Sequence, residues 1–106
     1  MVAYQLHSSY IKIAIPKICD LDFTIYFDYT YYGIVAHIDY HKWNKEVYLT
    51  SIPKIKNLAR KQTLPIYVEV YNKEDKKFLK FIDRCGFVPS GITTENNTEL
   101  YVWRDE

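Results

Sequence analysis

His37, Asp39 and His41 stand at every second position of "AHIDYHKW", the spacing that places side chains on one face of a strand. Imidazole and carboxylate together suggest a zinc-type site, in which each ligand sits at about 2 Å from the ion. Alternate residues of a strand lie ~6.6 Å apart, so His37 and His41 are separated by ~13 Å and cannot share one ion without a bulge. A pair such as His37 with Asp39 needs further ligands, and the remaining histidine is His7. The reading is therefore no metal site. His37 and Asp39 line a partly polar sheet face, while Ile34, Ala36 and Ile38 fill the core face.

The elements that must hold these residues follow from periodicity. "DFTIYFDYTYYGIVAHIDYHKW" reads as two antiparallel strands joined by a turn near Tyr29 to Gly33, with Phe23, Ile25 and Phe27 on one face and Thr24, Tyr26 and Asp28 on the other. "SIPKIKNLARKQ" shifts to helical spacing through Ile52, Ile55, Leu58 and Ala59; Thr50 or Ser51 is the expected cap, with Pro53 in the first turn. "LPIYVEVY" is a strand with Ile66, Val68 and Val70 buried. Asn72 is the expected cap of a helix over "KEDKKFLKFIDRCG", with Glu74 and Asp75 in its first turn and Gly86 just past its end. "FVPSG" and "ELYVW" form a terminal hairpin around the polar loop 92–98. Met1 to Leu6 and Tyr10 to Ile15 are further short strand candidates, and Pro16 is expected to stop pairing from continuing. The order predicts an α+β fold over residues 1–106 as one domain: a mixed, mainly antiparallel sheet crossed by two helices. The helix between "GIVAHIDYH" and "LPIYVEV" makes those two strands parallel.

Composition narrows the function classes. A formal net charge of +1 supplies no global field for nucleic acid or an anionic membrane, and the lysine-rich stretches 54–61 and 73–80 read as solvated helix faces. Neither is expected as a partner. Two cysteines, Cys19 and Cys85, are too few for a disulfide framework; their apolar neighbours suit small buried hydrophobes in a reducing, intracellular setting. The amino terminus lacks the pattern of a secretory leader, and no run of about 18 apolar residues offers a membrane span. The 3 glycines are Gly33, Gly86 and Gly91, so none lies between positions 33 and 86.

From about Ile25 to Trp103 the chain resembles the carboxy-terminal part of the GNAT superfamily, the acetyl-coenzyme A dependent N-acetyltransferases. The most specific portion is "FLKFIDRCGFVPSG…LYVW", which is similar to the family's usual "FYEKLGF" helix end and closing hairpin. The resemblance implies a strand ending in a glycine-rich, phosphate-binding turn and helix, then a second strand that splays away. Here the corresponding stretch is "WNKEVYLTSIPK". It has no glycine, Val47 and Leu49 occupy part of it, Pro53 removes an N–H donor, and Glu46 adds a negative charge. Lys45 and Lys54 remain as weak point-charge candidates for phosphate. The Tyr that serves many members as general acid aligns with Ile82, which holds no proton to give, and Asp75 stands where Asn is common. The two helices usual between the family's first strands are shortened or missing.

These departures predict a reduced GNAT-like fold with a degenerate acetyl-CoA site and no expected cofactor. Its role is then that of a non-catalytic interaction or structural module, binding a protein partner or itself. The surface proposed for this is Tyr29, Tyr31, Tyr32 and Trp43, since Tyr and Trp give large contact area at little entropic cost. Small reduced GNAT-like proteins occur among bacteriophage products, which implies a virion or host-interaction component in the host cytoplasm or the particle. The alternative is a working N-acetyltransferase that uses acetyl-CoA. For it, the resemblance implies Asp39, His41 or Glu69 as the base that takes the amine proton.

Overall fold

The computed structural model describes residues 15–19 and 22–104. Alternating apolar residues and a tight turn make the central hairpin. β2 (Phe23–Thr30) and β3 (Gly33–Tyr40) pair antiparallel along their whole lengths, Phe23 opposite Tyr40 and Thr30 opposite Gly33. Tyr31 and Tyr32 form the turn, where Thr30 Oγ1 donates to the Gly33 carbonyl at 2.6 Å. Gly33 has φ 140°, and a Cβ there would meet the Pro65 carbonyl at 2.7 Å. That contact lies just before the strand that starts at Ile66, with Ile34 N–H donating to the same oxygen at 2.8 Å.

Six strands form one sheet in the order β1-β2-β3-β4-β6-β5. β1 (Ile15–Cys19) is one edge and β5 (Phe87–Thr93) the other, paired with β6 (Glu99–Trp103). β4 (Ile66–Val70) is parallel to β3 and antiparallel to β6. All other neighbours are antiparallel, so the α+β class and the parallel crossover match the sequence reading. Pro16 does not stop pairing as expected: Pro16 lies opposite Tyr26, with a register shift before Ile18. An edge strand has one side without ladder partners, so a residue lacking N–H fits there. Cys19, expected among buried apolar neighbours, is exposed on that edge, whereas Cys85 is buried. The strand candidates at positions 1–6 and 10–14, and His7, lie outside the described residues.

Helix α1 (Lys45–Arg60) begins six residues earlier than its apolar period suggested. Asn44, not Thr50 or Ser51, is the N-cap, and its Oδ1 accepts from Val47 N–H at 2.9 Å. Thr50 and Ser51 lie inside the helix, where their hydroxyls donate to the Val47 and Tyr48 carbonyls. Pro53 is thus interior rather than first-turn, a position that removes one helix hydrogen bond. Val47, Ser51, Ile55 and Ala59 carry its buried stripe.

In α2 (Lys76–Cys85) Asp75 is the cap, accepting from Phe78 N–H at 3.2 Å. Asn72, the cap expected from sequence, instead accepts from Glu74 N–H in the preceding turn. An Asx turn competes with a cap for the same side chain. No acidic residue remains in the first turn, and Gly86 ends the helix at φ 107° as expected.

Both helices pack on the face carrying Phe23, Ile25, Phe27, Ile34, Ile66, Val68 and Val70. The opposite face pairs Thr24 with Asp39, Tyr26 with His37 and Asp28 with Val35.

Candidate functional site

Parallel pairing of β3 and β4 is confined to Ile34 with Ile66 and Val35 with Tyr67. Beyond these residues the strands have no ladder between them, and a wedge opens through the sheet. It forms a cleft of about 340 Å³ lined by Ala36, His37, Ile38, Val68 and Glu69 from the strands, and by Tyr71, Asn72, Asp75, Phe78 and Ile82 beyond them. Since Val35 lies beside Tyr67, the next alternate residues, His37 and Glu69, project from the same face on either side of the opening.

Each polar wall residue is held by a neighbour. His37 Nε2 lies 3.1 Å from Asp28 Oδ2, an ion pair when the imidazole is protonated. Glu69 Oε2 accepts from Thr98 Oγ1 at 2.8 Å. Tyr71 closes this side, its phenol pKa raised by partial burial and then by the charge of Glu69. On the helix side Ile82, 1% exposed, is aliphatic at the position where the resemblance implies a proton donor.

Of the bases named from sequence, Glu69 lines the wedge, and Asp39 and His41 do not. Asp39 is exposed opposite Thr24. His41 turns toward β2, where Nε2 lies 2.8 Å from Thr24 Oγ1 and its N–H donates to the Asp22 carbonyl at 2.8 Å. His37 and Tyr71 are the wall residues that sequence reasoning missed as proton-handling groups. The signal for His37 was the parallel crossover itself, which sets its register against Glu69. Among the described residues no three His, Cys, Asp or Glu side chains gather as a cation site.

The junction from β3 into α1 is built differently. Trp43 sits with its ring centroid 4.5 Å from Tyr40, 5.5 Å from Tyr48 and 6.1 Å from Phe81, all edge-on. Tyr48 and Phe81 are 5.6 Å apart, and Tyr40 and Phe81 5.9 Å. Beneath them Ser51 Oγ donates to the Tyr48 carbonyl at 3.0 Å, so at the 3.1 Å contact between the two hydroxyls Tyr40 is the donor. Burial pushes the Tyr40 phenol up to about 12.

A phosphate-binding helix start needs N–H groups turned outward without competing acceptors. Here Val47 N–H is taken by Asn44 Oδ1, and Glu46 stands in the first turn. Lys45 is exposed at the first helical position, and Lys54 places its ammonium 5.6 Å from the Phe23 ring centroid.

The aromatic residues named as a surface separate into two groups. Tyr29, 45% exposed, and Tyr31, 73% exposed, lie with Tyr32 at the β2–β3 turn. Trp43, 55% exposed, follows the far end of β3. Tyr31 and Tyr32 stack edge-on at 5.2 Å, and Tyr32 lies 5.6 Å from Tyr67.

A mainly antiparallel six-stranded sheet, splayed at its one parallel pair and carrying two helices, is compatible with a reduced GNAT-like fold. No family model and no curated protein sequence matches the chain. Among solved structures it is similar to the crystal structure of the anti-CRISPR protein AcrVA5, with TM-score 0.58 and 16% identity, over 82% of this chain and 95% of that one. At that identity the likeness is one of fold. No helix among the described residues is long and apolar enough to cross a membrane.

Proposed function

We propose that this chain is a host-interaction module: a small GNAT-like scaffold that works by binding a protein partner, without acetyl transfer. The observation that carries the reading is the β3–α1 junction, where the Asn44 cap and the packed rings of Trp43, Tyr40, Tyr48 and Phe81 occupy the place of a phosphate-binding turn. The likeness in fold to an anti-CRISPR protein supports a phage setting, in which the partner is a component of the host's defence machinery. The exposed rings of Tyr29 and Tyr31 at the hairpin turn, and of Trp43 beyond the far end of β3, are the contact surfaces assigned to that partner.

The test is thermal melting with and without 1 mM acetyl-CoA, a concentration of about a hundred Kd for a micromolar-range cofactor. Specific binding at that ratio stabilises by about 2.7 kcal/mol. The expected result is an unchanged midpoint. A rise of several degrees contradicts the reading.

One feature favours a second reading as an N-acetyltransferase. The wedge brings Glu69, His37 and Tyr71 to one opening, where Glu69, or His37 oriented by Asp28, can take a proton from an amine. Transfer of a labelled acetyl group from acetyl-CoA to a protein or amine, abolished in Glu69→Gln, is the result that would establish it.

A further inference from the structure

At the other end of the two helices from the wedge and the junction lies a second concavity of about 190 Å³. Its walls carry Lys56 and Arg60 of α1, Asp83 and Arg84 of α2, and Trp103 and Arg104 at the end of β6. In a chain of net charge +1, four cations against one carboxylate among the described lining residues is a local concentration of charge. We infer that this pocket is an anion site that takes a single phosphoryl group, carried by inorganic phosphate or by a small phosphate ester such as a nucleotide.

The competing explanation is that basic residues merely offset the negative ends of two helices, since Arg60 and Arg84 both lie in last turns. Two observations weigh against it. Each helix end carries the equivalent of about −0.5 charge, so the two ends together call for about one unit of positive charge, fewer than the cations that line the pocket. The terminal carbonyls are also met by other donors. Lys61 N–H and Gln62 Nε2 donate to the Leu58 carbonyl and Gln62 N–H to that of Ala59. Gly86 N–H donates to the Asp83 carbonyl and Trp103 Nε1 to that of Cys85. Among the described residues, no carboxylate forms an ion pair with Lys56, Arg84 or Arg104.

The pocket is also positioned by the backbone. Arg104 N–H donates to the Gly86 carbonyl at 2.9 Å, fixing the strand end against the helix end. A Cβ at Gly86 would lie 2.8 Å from Trp103 Nε1, so the glycine permits the indole to form one wall. Guanidinium groups match phosphate oxygens in planar, bidentate pairs. Four cations suffice for one phosphoryl group but fall short of the 6–10 phosphate contacts of a typical nucleic-acid surface.

The test is an NMR titration of ¹⁵N-labelled full chain at low ionic strength, with matched sodium chloride as the control. The probes are inorganic phosphate, adenosine monophosphate and a single-stranded DNA of about a dozen nucleotides. Saturable shifts of the Gly86 and Arg104 amides and the Trp103 indole N–H are expected with phosphate, and equally strong or stronger binding with the nucleotide. Arg84→Ala combined with Arg104→Ala weakens both at least about tenfold, while Lys77→Ala on the opposite half of α2 changes neither. Both arginines are exposed, and unchanged spectra elsewhere verify the fold of the variant. Absence of saturable phosphate shifts, or shifts unaltered in the double variant, overturns the site. DNA binding that tightens with length and shows a log–log salt slope steeper than about −4 overturns the single-phosphoryl assignment in favour of a strand-binding surface.

Discussion

The wedge and the junction lie along the same strand, yet they differ in what they retain. From Ala36 to Ile38, β3 parts from β4 and leaves an open cleft in which His37 and Glu69 stand among mainly apolar walls. A few residues later, at Tyr40 and Trp43, the chain is packed ring against ring and the helix start is capped by its own asparagine. The splay is a backbone property: it needs a short parallel ladder and an apolar face for the helices, and many sequences supply both. A phosphate cradle depends on side chains being absent, on glycines and unclaimed N–H groups, and a few substitutions by larger or capping residues fill it. On the proposed reading, the scaffold keeps its opening without the cofactor's anchor.

The largest effect expected at the junction comes from removing its central ring. Phe81 is 4% exposed and touches Tyr40, Trp43 and Tyr48, so Phe81→Ala should cost about 3–5 kcal/mol in chemical denaturation. A loss below about 0.5 kcal/mol, typical of a surface change, would mean that the rings merely cluster there and do not form part of the core.

Alkaline pH should act chiefly through two groups that burial shifts, Tyr40 at the junction and Cys85 at the end of α2. Burial raises the Tyr40 phenol to about 12 and the Cys85 thiol to about 12, against ordinary values near 10 and 9. Both folded-state values lie above the unfolded ones, so their contribution is fully present below about pH 9 and is lost as pH rises through 12. Urea midpoints should be flat through neutral pH and fall between about pH 9 and 12, with a smaller fall in Tyr40→Phe. In the same samples at pH 8, Cys19 should react with a thiol reagent and Cys85 should stay protected until unfolding.

Asn44→Ala removes the cap and should destabilise by about 1 kcal/mol. It also releases Val47 N–H, so any gain in phosphate or coenzyme affinity at this helix start would identify the cap as the blocking group. The smallest effect belongs to the wedge. Asp28→Asn breaks a pair whose histidine side chain is 42% exposed, and its cost should lie within about 0.2–1 kcal/mol. A larger loss would make His37 and Asp28 a structural tie across the hairpin.

Much of this fold is legible in the residues. The 2-residue period of Phe23, Ile25 and Phe27, the αL glycine after Cys85 and the closing hairpin each leave a local mark that the structure reproduces. The start of α1 does not, because Asn44, Lys45 and Glu46 precede the apolar stripe and Pro53 suggested a later beginning. Asn44 outranks Thr50 as a cap, and tertiary packing of Val47 and Tyr48 outweighs the proline's cost. Nor could the sequence select among Asp39, His41 and Glu69. Which of them faces the wedge is set by where the β3–β4 ladder stops, a property of two strands separated by a helix. The basic pocket was hidden for a similar reason: Lys56, Arg84 and Arg104 are far apart in sequence, and single-helix charge patterns read as solvated faces.

On the proposed reading the junction excludes the cofactor even though the wedge stays open. The most direct test is a site-resolved NMR titration with acetyl-CoA up to 1 mM, following the amides of Val47 and Tyr48 at the junction and of Ile38 and Val68 at the wedge. The expected result is no saturable shift at either set in the native chain. Concerted, saturable shifts at both, with the Val47 amide moving as its Asn44 bond is replaced, would contradict the account and restore the chain to the acetyl-transferring class.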